Sequence, residues 1–165
     1  MKKAGRALSA DYVVRQAASE DVDTLVAFTL QEAFEAEGVR KNPEAVRRGV
    51  EGAFQDPPQS SYWVVENAEG RIVASTSINT EWSDFNGGPY WWIQSIFIVP
   101  EHRGSGLVEL MLDFLAETAK QSGALDLRLY AHNSNERAFR VYRRCGFTTA
   151  PYTIMVRKLD RPTND

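Results

Sequence analysis

Apolar positions recur along this chain with two periods, and the changes between them mark out the elements. Residues 11–16 form a short β-rich run, the first expected strand. Ser19 can cap a helix that opens with Glu20 and Asp21, acidic residues that suit a helix N-terminus. Val22, Leu25, Val26, Thr29, Leu30 and Ala33 then follow at helical spacing until Gly38. Asn42 before Pro43 is a second start signal. Val46, Val50, Ala53 and Phe54 give that helix one apolar face, and Asp56-Pro57-Pro58 closes it. Three strands are expected next, at 62–66, 72–80 and 90–99, joined by turns at 67–70 and 84–89 that are rich in Asn, Asp and Gly. The helical period returns at about 106–122, where Leu107, Leu110, Met111, Phe114, Leu115 and Ala119 share a face and Gly123 is the stop. Leu125, Leu127 and Leu129 alternate as a strand. Asn133 to Asn135 opens a shorter helix with Ala138, Val141, Tyr142 and Cys145 on one side, Gly146 ends it, and 147–159 reads as one or two further strands. This order implies a mixed sheet with helices on both faces.

Length and composition narrow the picture. The 165 residues suit one domain, with 1–10 as an N-terminal extension, 11–159 as the folded unit and 160–165 as a tail. Hydrophobic residues at 43% and charged residues at 25% describe a globular chain. A net charge of −3 with no basic stripe argues against nucleic acid as a partner, since Lys2, Lys3 and Arg6 make only a short basic start. The longest apolar run, 90–100, is interrupted by Gln94 and Ser95 and falls short of the ~20 residues that span a bilayer. No signal-peptide core opens the chain, so a cytoplasmic protein without a membrane partner is expected. The single cysteine, Cys145, excludes an internal disulfide and a multi-thiolate metal site, and reads as a small buried residue rather than a nucleophile. His102 and His132 lack the spacing of metal ligands, so no metal is expected.

The segment Val99-Pro100-Glu101-His102-Arg103-Gly104-Ser105-Gly106-Leu107-Val108 lies between a strand and a helix. Its glycines allow a tight turn and close approach to a ligand. The helix behind them offers unpaired N–H groups and the positive end of its dipole, which suits a pyrophosphate. Arg103 adds a charged fork for phosphate oxygens. By itself such a loop fits a plain strand-to-helix connection equally well.

One strand later comes Asn135-Glu136-Arg137-Ala138-Phe139-Arg140-Val141-Tyr142, then Gly146-Phe147. Together the two segments resemble the GCN5-related N-acetyltransferase (GNAT) family. The first is similar to its cofactor motif, Gln/Arg-x-x-Gly-x-Gly/Ala preceded by Val-x-Pro, with Val108 replacing the final small residue. The second is similar to its Asn-x-x-Ala-x-x-x-Tyr helix ending in Gly-Phe. The order of the preceding elements fits as well, so the resemblance covers nearly the whole chain.

The resemblance implies an α/β fold of the acyl-CoA N-acyltransferase type. That fold has a mixed, mostly antiparallel sheet of six to seven strands, splayed in the middle, with about four helices on its two faces. It implies acetyl-CoA as cofactor, with pantetheine slotted between strands 90–99 and 125–130 against backbone groups of Phe97, Ile98 and Val99. The pyrophosphate would rest on Arg103, Gly104, Ser105, Gly106, Leu107 and Val108, and Asn135 would touch the cofactor arm. A strand N–H among residues 96–98 would polarise the thioester carbonyl. Tyr142, which by spacing alone fits a core aromatic, would protonate the leaving thiolate and line the cofactor site.

Attack on a thioester needs a neutral amine, while an alkyl amine with a pKa near 10 is mostly protonated at pH 7. Many family members carry a carboxylate on the central strand where this chain has Gln94 and Ser95, and neither is a base. The remaining candidates are Glu32, Glu35 and Glu37 on the first helix and Glu81 and Asp84 in the turn before residue 90, with Glu81 the first choice of base. Each also fits an ordinary solvated surface. Glu32, Glu35, Asp84, Trp82 and Gln94 are the expected acceptor contacts, and such acidity favours a small basic amine or polyamine. The stretch Glu81-Trp82-Ser83-Asp84 followed by Trp91-Trp92-Ile93-Gln94-Ser95 is similar to one subgroup of these enzymes; Trp82, Trp91 and Trp92 read as packing residues, of which one or two could line an acceptor pocket. The function implied is acetyl transfer to a primary amine, on a small molecule or a peptide, in a ternary complex. A non-catalytic acyl-CoA-binding module of the same fold is the alternative, and a homodimer is what the family implies.

Overall fold

A computed structural model of the chain describes residues 5–7 and 9–159, with the Glu37 side chain outside that description. Ten regular elements follow one another: β1 (Arg6–Ala7), β2 (Tyr12–Gln16), α1 (Val22–Glu37), α2 (Pro43–Glu51), β3 (Ser61–Asn67), β4 (Ile72–Ser83), β5 (Gly88–Ile98), α3 (Leu107–Gln121), β6 (Asp126–Leu129) and α4 (Glu136–Arg144). The six strands form one sheet in chain order, antiparallel from β1 to β5 and parallel between β5 and β6. Both strands of the central hairpin are longer than their apolar cores, because the turn tightens to four residues and Gly87 N–H closes it on the Ser83 carbonyl. None of the described helices is long and apolar enough to cross a membrane.

The alternation of strand side chains divides the core in two. Val64 packs with Leu25, Val26 and Val50 under α1 and α2. Its neighbour Val65 packs with Met111, Leu112 and Leu115 of α3, and Val141 and Tyr142 of α4, with Cys145 just after it, join that side. Leu25, Leu107, Met111, Leu112 and Leu115 are fully enclosed, and truncating one of them to Ala should cost about 2–5 kcal/mol.

Local signals and long-range contacts share the work of setting the helix starts. Asn42 caps α2 by accepting the N–H groups of Glu44 and Ala45 at 2.9 and 3.1 Å. Ser19 does not cap α1. A short 3-10 turn occupies Ser19–Asp21, and Asp21 takes the Ala18 N–H at 2.8 Å. The Asp21 carboxylate is also held by Arg15 at 2.6 and 3.0 Å, and Arg15 reaches Glu66 on β3 at 2.7 Å. Arg15 and Asp21 are each only 3% exposed. Breaking such a buried pair by removing one partner typically costs about 3–5 kcal/mol.

The strands expected at 147–159 do not form. Tyr152, Ile154, Met155, Val156 and Leu159 have strand-forming character yet stand exposed, with no neighbouring strand bonded to them among the described residues. Strand propensity expresses packing against a partner, and without one it decides nothing.

Candidate active site

The sheet opens along β5. Tyr90 to Ile93 pair with Asp126 to Leu129 of β6, and there the pairing ends. From Ser95 to Ile98 the strand bonds only to β4, on Ser77 to Ala74. The register slips between Ser77 and Ile78, so that Ser77 faces Ser95 while Ile78 faces Ile93, and Gln94 has no opposite residue. Such a bulge bends a strand and re-aims its side chains.

Beyond the bulge, the backbone groups of β5 alternate between β4 and the opening. Val99 N–H bonds to the Val73 carbonyl at 3.0 Å, so the amides of Val99, Phe97 and Ser95 turn toward β4. Those of Ile96 and Ile98 turn the other way. The expectation that Phe97, Ile98 and Val99 all offer backbone groups to a ligand is therefore corrected: Ile96 and Ile98 do, while Phe97 contributes to the lining and Val99 faces its neighbour strand. Two side chains occupy two of the outward-facing groups. Glu32 accepts the Ile96 N–H at 3.2 Å, and Arg103 donates to the Ile98 carbonyl through Nε at 2.8 Å.

A cleft of about 780 Å³ fills this opening between α1, the loop before α3, and α4. Gly104 and Gly106 adopt left-handed backbone angles, φ +76° and +81°, and an added Cβ at either would meet open space. The first bond of the α3 ladder runs from Leu110 N–H to the Gly106 carbonyl. The N–H groups of Leu107, Val108 and Glu109 thus precede the ladder and lack helical partners. Val108, on the first turn of α3, lines the cleft. Ser105 turns away, donating its hydroxyl to the His102 carbonyl at 2.7 Å. Asn135 lines the cleft while its side chain caps α4 through Ala138 N–H at 3.0 Å.

Glu32 and Tyr142 both line this cleft. Burial pushes the Glu32 carboxyl up to about 7, against the Ile96 hydrogen bond and with help from the charge of Glu35. Burial also raises the Tyr142 phenol, and the Glu32 charge adds to that effect. Glu35 bonds to Arg103 at 2.8 Å, and the guanidinium lies 5.5 Å from the centre of the Phe97 ring. In this state Arg103 is engaged with the strand and with α1.

The acidic mouth expected from the sequence is not assembled. Glu81 pairs with Tyr90, six residues or about 20 Å of strand from Ile96. Its exposed carboxylate accepts the Trp92 indole N–H at 2.6 Å, and Trp92 in turn stacks on Tyr130. Trp82, 64% exposed, and Asp84 share that end of the hairpin and do not line the cleft. Of the expected acceptor contacts, Glu32, Glu35 and Gln94 are brought together. Arg137, Arg140 and Arg144 of α4 also line the cleft, and sequence reasoning passed over them. Their spacing at i, i+3 and i+7 was the available signal.

A family model described as the Acetyltransferase (GNAT) family matches residues 19–147. The chain belongs to that family. Among curated relatives it is similar to streptothricin acetyltransferase of Streptomyces lavendulae, 29% identical over 100 residues, which are 60% of this chain and 50% of the relative. The chain thus matches about half the length of that relative. Among solved structures it is similar to a possible acetyltransferase of Clostridium difficile 630, with a TM-score of 0.85 at 24% identity, covering 92% of this chain and 99% of the other. A predicted acetyltransferase of Clostridium acetobutylicum, solved with acetyl-CoA, aligns at a TM-score of 0.72 and 22% identity over 88% of this chain and 96% of its own. At these identities the structural likeness establishes the GNAT fold, with its mostly antiparallel open sheet and four helices.

Proposed function

We propose that this GNAT chain transfers the acetyl group of acetyl-CoA to a primary amine by direct attack in a ternary complex, with Glu32 as the base and Tyr142 as the acid. The observation that carries the reading is the Glu32 carboxylate, bonded to the Ile96 amide where the sheet opens and titrating near neutrality. It occupies the region where many members have a strand carboxylate, and reaches it from α1 rather than from Gln94 or Ser95. A base is most effective when its pKa lies near the working pH.

The residues present fit the cofactor. Two glycines with open space above them, the unladdered N–H groups at the start of α3, and the arginines of α4 together make a cradle for a phosphate-rich ligand. Leu107, Val108 and Glu109 would hold the pyrophosphate through their amides, and Arg137, Arg140 and Arg144 would supply positive charge beside it. When bound, acetyl-CoA supplies the acetyl group as an activated thioester. Ile98 carries an N–H that faces the opening and would stabilise negative charge on a carbonyl oxygen there, the Ile96 N–H being taken by Glu32. Glu32 would take the proton of the acceptor ammonium. Tyr142, kept protonated by its burial, would hold the proton that a departing thiolate needs. This pair of groups favours catalysis over a purely sensory acyl-CoA module.

A pH–rate profile tests the base. Native kcat/KM should rise with pH through an apparent pKa near 7, because Glu32 must be ionised to accept a proton. Glu32→Gln should lose that limb and about 10³-fold in rate. Unchanged rate and limb in Glu32→Gln would remove Glu32 from the role.

A further inference from the structure

The opening in the sheet has two ends. Past Ile98, Arg103, Gly104 and the first turn of α3 line the cleft, the end that suits phosphates. The opposite end is the rung where Leu129 of β6 pairs with Ile93, the last before the two strands part. The next residue on β6's side, Tyr130, lines the cleft from one lip, as Gln94 does from the other. Ile96, which holds Glu32, stands three residues or about 10 Å of strand beyond Ile93. In the reaction proposed above, the amine is deprotonated between the phosphate end and Tyr130.

Alternation fixes the face on which Tyr130 stands. Ile93, Leu127 and Leu129 pack into the core under α3. Trp92, Arg128 and Tyr130 therefore lie on the other face, the one that α1 covers and from which Glu32 reaches the strand. The rings agree with this placement: Trp92 and Tyr130 are stacked, with centroids 4.4 Å apart and 16° between their planes. Glu81 holds the Trp92 indole N–H at 2.6 Å and so steadies the stack. Tyr130 is nonetheless 52% exposed. A ring backed by a second ring and open to a cleft is a surface for a further flat apolar group. A cation is served less well. The Arg128 guanidinium already lies 3.3 Å from the Tyr90 ring centre and 5.6 Å from that of Trp92. A second cation would meet the first, and neither Glu81 nor Asp126 lines the cleft to receive it.

We propose that Tyr130 determines acceptor specificity, selecting a primary amine that carries an aromatic ring, which packs on the Tyr130–Trp92 stack while the amine reaches Glu32. The inference rests on acetyl transfer at Glu32 as described above and names the acceptor class for that reaction. It departs from the polyamine expected from the acidic residues, since Glu35 is paired with Arg103 and Glu81 and Asp84 lie outside the cleft lining. Aromatic pairs gain more than the area they bury, so a phenyl ring is favoured here over a saturated ring of similar size.

The experiment compares kcat/KM with acetyl-CoA for 2-phenylethylamine, 2-cyclohexylethylamine and the cationic 4-guanidinobutylamine, each corrected for its fraction of neutral amine. The native protein, Tyr130→Leu and Tyr130→Phe are assayed, and CoA affinity is measured by calorimetry in parallel. The native protein should prefer the phenyl to the cyclohexyl amine by about three- to tenfold. Tyr130→Leu should bring that ratio toward one with CoA affinity unchanged. Tyr130→Phe, which keeps the ring, should retain the ratio, and it decides the matter if the Leu variant does not fold. A native ratio near one, a ratio that survives in Tyr130→Leu or is lost in Tyr130→Phe, or a native preference for the guanidino amine overturns the subsite, while turnover of the amines leaves acetyl transfer standing. Weaker CoA binding in Tyr130→Leu at an unchanged ratio would set the ring against the cofactor and overturn it as well. Failure to acetylate any of the three amines overturns both readings.

Discussion

The two halves of β5 carry similar alternating sequence and meet different fates. From Tyr90 to Ile93 the strand is bonded on both edges, to β4 and to β6, and its aromatic side chains tie it to the β6 side through Trp92 on Tyr130 and Arg128 over Tyr90. From Ser95 to Ile98 it is bonded on one edge only, and on the other Glu32 takes the Ile96 N–H and Arg103 the Ile98 carbonyl. Backbone amides that are left over in a sheet must find partners. In the open half those partners are charged side chains on other elements, which can move, whereas a neighbouring strand cannot without unzipping. The chemistry of this fold is concentrated where a strand partner is withheld.

The comparison predicts strong effects on the open half and weak ones on the paired half. Besides Glu32→Gln, the largest should come from Tyr142→Phe, which removes the proposed acid from the cleft it shares with Glu32: kcat falls by at least about 10²-fold with CoA affinity nearly intact, while Glu81→Gln, on the paired half, stays near the native rate. Steady-state kinetics of both variants with a productive amine decide it, and a wild-type kcat in Tyr142→Phe would return that side chain to packing. Gly106→Glu should come next. It forces a side chain into a left-handed position, φ +81°, and sets a negative charge before the α3 amides, so calorimetry should show about 100-fold weaker CoA binding. An unchanged affinity would move the phosphates elsewhere.

The smallest effect concerns stability. The folded state raises Glu32 from 4.5 to about 7, so between those values it holds more protons than the unfolded chain. Stability contributed by the neutral carboxyl is present below about pH 4.5 and is lost as pH rises through 7. Glu32→Gln should remove that loss, gaining about 1–3 kcal/mol at pH 8 relative to the native protein and little at pH 4. Chemical denaturation at the two pH values measures it, and a gain of the same size at both would show that packing rather than ionisation is responsible.

What the sequence determined by itself was local. Gly104 and Gly106 before an amphipathic helix specify a tight turn onto a free helix N-terminus, because positive φ and unladdered amides depend only on adjacent residues. Asn42-Pro43 specified the start of α2 for the same reason. Period and turn chemistry likewise separated the antiparallel hairpins from the later helix–strand–helix run. The tertiary structure decided the rest. Glu32 reaches Ile96 across 64 positions and Arg15 reaches Glu66 across 51, and no spacing rule encodes such contacts. The bulge that frees Gln94 arises between two strands and belongs to neither alone. Glu81 read better than Glu32 in sequence, since it lies just before the aromatic strand while Glu32 is one of several acidic residues on the first helix. Only the fold exposes one to water and buries the other against an open strand, and it is burial that makes a carboxylate a base near neutral pH.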